Sequence, residues 1–135
     1  MASCARFYAC STSSTPRRCR LATPSEPRLL DSRPLEVRLA EFARERDWDR
    51  FHTPRNIILA LTGEVGELAE IFQWLDDRQA EAIMQTAKAE HVRQEVADVL
   101  LYLVRLAMVL GIDLDAAVGE KIKLNALKYP PLPPG

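Results

Sequence analysis

Two long helical stretches of this chain are apolar along one face, and each carries a pair of carboxylates on or beside that face at i to i+3 spacing. In the first, Asn56 to Leu75, the residues Ile57, Ile58, Leu61, Val65, Leu68, Ile71 and Phe72 recur at helical spacing and mark a single stripe. At 100° per residue Glu64 falls between Ile57 and Ile71, Glu67 lies at the margin beside Ala60, and Glu70 projects to the opposite side. The second stretch, Val92 to Leu110, places Glu95 between Tyr102 and Leu106, with Asp98 close to Val109 at the edge. Moving an ionised carboxylate from water into such surroundings costs several kcal/mol, of order 3 or more, unless it is paired, hydrogen-bonded or metal-bound. The nearby cations are Arg55, Arg93 and Arg105, too few for four acids. A divalent cation held between facing helices resolves the conflict. A donor set of oxygens without His or Cys suits Mg²⁺, with Mn²⁺ as a substitute, and argues against zinc.

The chain has 135 residues, enough for one domain with one core. Its charge is uneven. Residues 1–30 carry five Arg and one Glu, so the net −1 of the whole leaves the remainder acidic, which disfavours nonspecific nucleic-acid binding. Cys4, Cys10 and Cys19 all fall in the first segment, so neither disulfides nor thiolate zinc supports the remainder. No apolar run reaches the roughly 18 uncharged residues of a membrane span. A soluble protein is expected.

Residues 1–30 are rich in Ser, Thr, Pro and Arg and lack periodicity, and they read as a disordered leader. The same composition is shared by organelle transit peptides. The location is therefore cytoplasmic, or mitochondrial or plastid if the leader is a transit signal. The folded domain is expected over 31–130, followed by a Pro-rich tail at 131–135. Ser32 and Pro34 predict the start of a first helix running to Trp48, with Leu35, Leu39, Phe42 and Ala43 inward. Thr53 as cap and Pro54 start the first acidic helix, which ends near Trp74. Arg78 to Leu110 contains no Gly or Pro, allowing one long helix, or a separate polar segment over Arg78–Ala89. Gly111 ends it, and Asp113 or Asp115 caps a last helix through Lys128. The class is all-α, four to five helices in a bundle. Because Val92–Leu110 is apolar nearly all round, a homo-oligomer is expected to cover it.

The blocks Gly63-Glu64-Val65-Gly66-Glu67 and Glu95-Val96-Ala97-Asp98 resemble the ExxE…ExxD signature of the MazG-like nucleoside triphosphate pyrophosphohydrolases. Glu45 to Trp48, Phe51 to Asn56, Phe72-Gln73-Trp74, Lys121 to Asn125 and Lys128-Tyr129-Pro130 are similar to the dCTP pyrophosphatase branch. The resemblance covers residues 35–130. It implies that Glu64, Glu67, Glu95 and Asp98 bind Mg²⁺ bridging a triphosphate and form the catalytic set. It implies cleavage between the α and β phosphates, giving a monophosphate and pyrophosphate, and a tetramer. The expected nucleotide contacts are Trp48, Asp49, Arg50, Phe51, His52, Trp74 and Tyr102, with Lys121 and Asn125 on phosphate. The sequence departs from animal relatives at Leu39, where they carry a histidine that contacts substrate. The expected activity is hydrolysis of dCTP and modified dCTP in nucleotide-pool control. Alternatives are the same chemistry on dUTP or other noncanonical triphosphates, or a silent nucleotide-binding bundle. A di-metal redox bundle fits poorly, because neither His52 nor His91 stands i,i+3 from the acids.

Overall fold

The computed structural model describes residues 28–132, and these form an all-α bundle. The helices are α1 (Arg33–Glu45), α2 (Pro54–Phe72), α3 (Asp77–Glu81), α4 (Ala89–Leu110) and α5 (Leu114–Lys128), with a 3₁₀ turn at Ile83–Gln85. No described helix is long and apolar enough to cross a membrane. Residues 1–27 and 133–135, most of the expected leader and the end of the tail, lie outside the described residues.

Helices α2 and α4 form the main packing pair, and α1 lies against α4. Ile71 clusters with Val92 while Glu64 meets Glu95 and Asp98, so the two long helices run antiparallel. Ile57 is buried to 1% exposure near the start of α2, and removing such a side chain from water stabilises the fold by about 1.5–3 kcal/mol. Ala43, Val104 and Ala107 are buried as well, and Ile71, Ile83 and Val92 form a second cluster flanked by Phe72 and Leu75. The expected α2 stripe is buried only in part: Ile58 and Val65 remain exposed.

Local chemistry sets most boundaries. Thr53 Oγ1 accepts the Asn56 N–H at 3.3 Å, and Pro54 follows at the first helical position. Asp113 caps α5 through the Ala116 N–H at 3.1 Å, which resolves the choice left open between it and Asp115. Gly111 ends α4 at φ 67°, and the Ile112 N–H returns to the Ala107 carbonyl at 2.9 Å.

One expectation needs correction, and one open choice is resolved. Ser32 has helical backbone angles and makes no cap; its hydroxyl donates to the Glu36 carboxylate instead. Of the two readings for Arg78 to Leu110, the structure takes the separate segment ahead of α4 over one continuous helix. Thr86 breaks it: Oγ1 donates to the Ile83 carbonyl at 2.7 Å and accepts the Lys88 N–H at 3.2 Å, while Ile83 turns inward onto Ile71 and Val92. Residues 28–30 are fastened to α5. Asp115 Oδ1 accepts the backbone N–H groups of Leu29 and Leu30 at 2.8 and 3.0 Å, and its Oδ2 lies 3.4 Å from Arg28 Nε.

Candidate functional site

The antiparallel register of α2 and α4 brings Glu64, Glu95 and Asp98 together, with one oxygen from each within 4.8 Å of the others. Glu95 is buried, and its Oε2 has no hydrogen-bond partner among the described residues. Its other oxygen, Oε1, lies 3.1 Å from His91 Nε2. Burial, followed by the charges of Glu67, Asp98 and Glu95, raises the Glu64 pKa above its usual range. The basic residues counted from sequence bring no relief: Arg93 pairs with Glu90 at 3.2 Å and Arg105 pairs with Asp49. Three converging oxygen donors, one of them with a buried atom lacking a partner, fit a hard divalent cation.

Glu67 is not a member of this three-carboxylate set. It is exposed, and with Glu70, Ile71, Lys88 and His91 it lines a polar cavity of about 270 Å³. Glu70 is exposed, away from the three-carboxylate set, and shares this wall with Glu67 because residues three apart on a helix are neighbours.

A second cavity, of about 250 Å³, adjoins the carboxylates through Asp98. Leu39, Phe42 and Ala43 of α1, Trp48 and His52 of the following turn, and Leu101, Tyr102 and Arg105 of α4 complete its lining. Asp98, Tyr102 and Arg105 stand at i, i+4 and i+7 and share a face of α4. The Trp48 ring meets Phe42 edge-on at 5.6 Å and His52 at 6.0 Å. A tight turn holds it there. Asp47 takes the left-handed region at φ 53°, and the Trp48 N–H returns to the Ala43 carbonyl at 2.9 Å. Asn56 Nδ2 then fastens the turn to α2 by donating to the Phe51 carbonyl at 3.0 Å.

Electrostatics differ along the cavity. Burial, then the charges of Glu64 and Asp98, raises the Tyr102 pKa, which keeps the phenol protonated as a donor. Burial and the neighbouring Arg105 hold His52 below its usual range, against the opposing charge of Asp49. Arg105 Nε donates to His52 Nδ1 at 2.9 Å, and Nη2 donates to Asp49.

Other expected contacts fall elsewhere. Arg50 pairs with Asp47 at 3.2 Å and lies 4.5 Å above the Phe51 ring; neither Arg50 nor Phe51 lines the cavity. Trp74 is 86% exposed just beyond α2. Lys121 and Asn125 sit exposed on α5, and neither lines the carboxylate site or its cavities. Arg105 and His91 were missed as site residues. The available signals were spacings on one helix face, Arg105 seven after Asp98 and His91 four before Glu95.

Comparison with known proteins follows the same elements. The profile of the MazG-like family matches residues 60–132, which hold all four acids and more than half of the chain. The chain is 49% identical over 106 residues to dCTP pyrophosphatase 1 of Rattus norvegicus, covering 78% of this chain and 61% of that one. It is 46% identical over 112 residues to dCTP pyrophosphatase 1 of Homo sapiens, covering 82% and 64%. The chain thus spans about three fifths of the length of these curated relatives. Its fold is similar to the crystal structure of a pyrophosphatase from Archaeoglobus fulgidus, with a TM-score of 0.68, 39% identity, and coverage of 73% of this chain and 91% of that one. Fold, carboxylate constellation and sequence therefore agree, and the chain belongs to the MazG-like family.

Proposed function

We propose that this chain is a Mg²⁺-dependent nucleoside triphosphate pyrophosphatase that converts dCTP and base-modified dCTP to the monophosphate and pyrophosphate. The observation that carries this reading is the junction at Asp98, which both lines a largely apolar, aromatic-walled cavity and belongs to the set of three converging carboxylates. A base fits the first surroundings and a polyphosphate with its cation fits the second. Similarity to proteins named dCTP pyrophosphatase 1 supports the choice of cytosine.

Glu64, Glu95 and Asp98 would hold Mg²⁺, or Mn²⁺ in its place. When bound, such an ion neutralises charge on phosphate oxygens and lowers the pKa of coordinated water. Trp48 offers a ring face to the base, a contact worth about 1–3 kcal/mol in nucleic-acid binding proteins. The protonated Tyr102 offers a hydrogen bond at the junction between base and phosphate. Glu67, beside the set, orients or deprotonates water for attack on the α-phosphorus, with Glu64 as the second candidate. The bond from that phosphorus to the bridging oxygen breaks, and pyrophosphate leaves with its electron pair.

The working form is a homo-oligomer, a tetramer by family likeness. Val96, Leu100, Leu103 and Leu110 form an exposed apolar stripe on α4, and Ile122, Leu124 and Leu127 of α5 are also exposed. Trp74, Lys121 and Asn125 would meet substrate only through such an assembly. Its role is nucleotide-pool control, in the cytoplasm, or in a mitochondrion or plastid where residues 1–30 direct it.

Pyrophosphate release from a panel of deoxynucleoside and ribonucleoside triphosphates, with Mg²⁺ and with EDTA, tests the reading. Metal-dependent formation of dCMP from dCTP is expected. Hydrolysis favouring dUTP would shift the substrate, and release from no member would leave a nucleotide-binding bundle.

A further inference from the structure

Arg105 is a long cation at the wall of an otherwise largely apolar cavity, and its side chain is only 11% exposed. The nucleotide chemistry proposed above does not use it. Its surroundings define what it does. Nη2 donates to Asp49, so a carboxylate outside the cavity lining answers the guanidinium charge. Nε faces His52 Nδ1 at 2.9 Å, across 53 positions of sequence.

A guanidinium offers only donors. The imidazole nitrogen facing it must therefore be the unprotonated acceptor, and the proton of the neutral ring then resides on Nε2. We propose that Arg105 is a positioning residue that locks His52 as the neutral Nε2–H tautomer, so that the ring presents one fixed N–H donor to an acceptor on a pyrimidine base, the O2 carbonyl or the N3 nitrogen. The base contact rests on the nucleotide reading of this cavity; the hold of Arg105 on His52 does not.

The groups around His52 agree with this assignment. Asp49 belongs to its own turn; Asp98, Tyr102 and Arg105 approach from α4; α1 contributes the uncharged Leu39, Phe42 and Ala43. Trp48 meets the imidazole edge-on and restricts its rotation. Protonation of Nδ1 would aim an N–H at the guanidinium and place two cations in contact, and burial disfavours the charged ring further. The ring accordingly acquires its second N–H at lower pH than a free imidazole, ordinarily near 6.5.

Nitrogen NMR of the full chain labelled with ¹⁵N-histidine tests this directly. The two histidines are assigned with a His91→Asn variant. In the wild type, His52 is expected to show a protonated Nε2, an unprotonated Nδ1, and a transition below pH 6.5. Arg105→Leu is expected to move that transition upward, mix the tautomers, and raise the KM for the preferred triphosphate about tenfold with kcat little changed. Arg105→Gln keeps an N–H donor without the charge and should retain the tautomer and part of the affinity. A protonated Nδ1 in the wild type, or a His52 titration unaffected by Arg105→Leu, would overturn the proposal, and neither depends on turnover. An intact tautomer in a wild-type protein that hydrolyses no triphosphate would overturn the nucleotide reading and the base contact, while leaving the hold of Arg105 on His52 established.

Discussion

Glu95 and His91 stand one turn apart on α4, with 3.1 Å between Oε1 and Nε2, and this contact engages one carboxylate oxygen while the other is buried without a partner among the described residues. The imidazole thus answers half of a buried acid. Glu64 and Asp98 each bring a carboxylate oxygen within 4.8 Å of the Glu95 carboxylate and add charge of the same sign.

Mg²⁺ or Mn²⁺ should therefore stabilise the fold. An ion present at a hundred times its dissociation constant adds about 2.7 kcal/mol, corresponding to a rise of about 10 °C or more in Tm for a domain of this size. Differential scanning fluorimetry with and without EDTA measures the shift. Glu95→Gln should abolish most of it, and an equal shift in that variant would count against the site.

Asp98 and Glu67 should separate in their effects. Asp98→Asn is expected to remove both ion-induced stabilisation and turnover. Glu67→Gln, altered outside the three-carboxylate set, should retain most of the ion response and lose at least about a hundredfold in kcat, the scale of a lost general base. Circular dichroism should find both variants helical. Near-normal turnover in both would sink the assignment.

Trp48→Ala should raise the KM about 5- to 100-fold, the equivalent of a lost aromatic stack. Trp74→Ala should leave monomer unfolding unchanged because that ring is 86% exposed. If it nevertheless raises the KM, the indole acts across a subunit boundary, and mixing it with a Glu95→Gln chain should recover activity in hybrid sites.

Asp47 supports Trp48 through its left-handed backbone. Asp47→Gly should be neutral or stabilising, whereas Asp47→Val should cost about 1–2 kcal/mol. Urea unfolding gives the stability change, and tryptophan fluorescence should report a displaced Trp48 only in the valine variant.

The Leu30 N–H, then the Leu29 N–H and the Arg28 charge, hold the Asp115 carboxyl below its ordinary value of 3.8, against a smaller opposing effect of burial. A lowered acid contributes stability that is present above that value and is lost as pH falls through the folded pKa. Hydrogen exchange at Leu29 and Leu30 should be protected at neutral pH and lose protection under strong acid. Asp115→Ala should remove the protection at every pH.

The clustering of Glu64 with Glu95 was legible because helical periodicity alone puts both on apolar stripes, a conflict that demands an answer. Thr53-Pro54 and Gly111 were legible because their chemistry is local. The break before α4 was left open by the sequence, since Thr86 works by side-chain bonds and Ile83 by tertiary burial, neither requiring Gly or Pro. Arg105 and His52 are distant in sequence, so their hydrogen bond depends on packing that no local pattern records. Lys121, Asn125 and Trp74 were named through family resemblance, and one chain does not bring them to the carboxylates.

The contact between Asp115 and the backbone of Leu29 spans 86 positions. During synthesis Leu29 leaves the ribosome 86 positions before Asp115, so this anchor is unavailable until α5 begins to emerge. The start of the described structure is consequently fastened only after α1, α2 and α4 have been made, so the residues just before α1 are held by the last described helix and not by their neighbours in sequence.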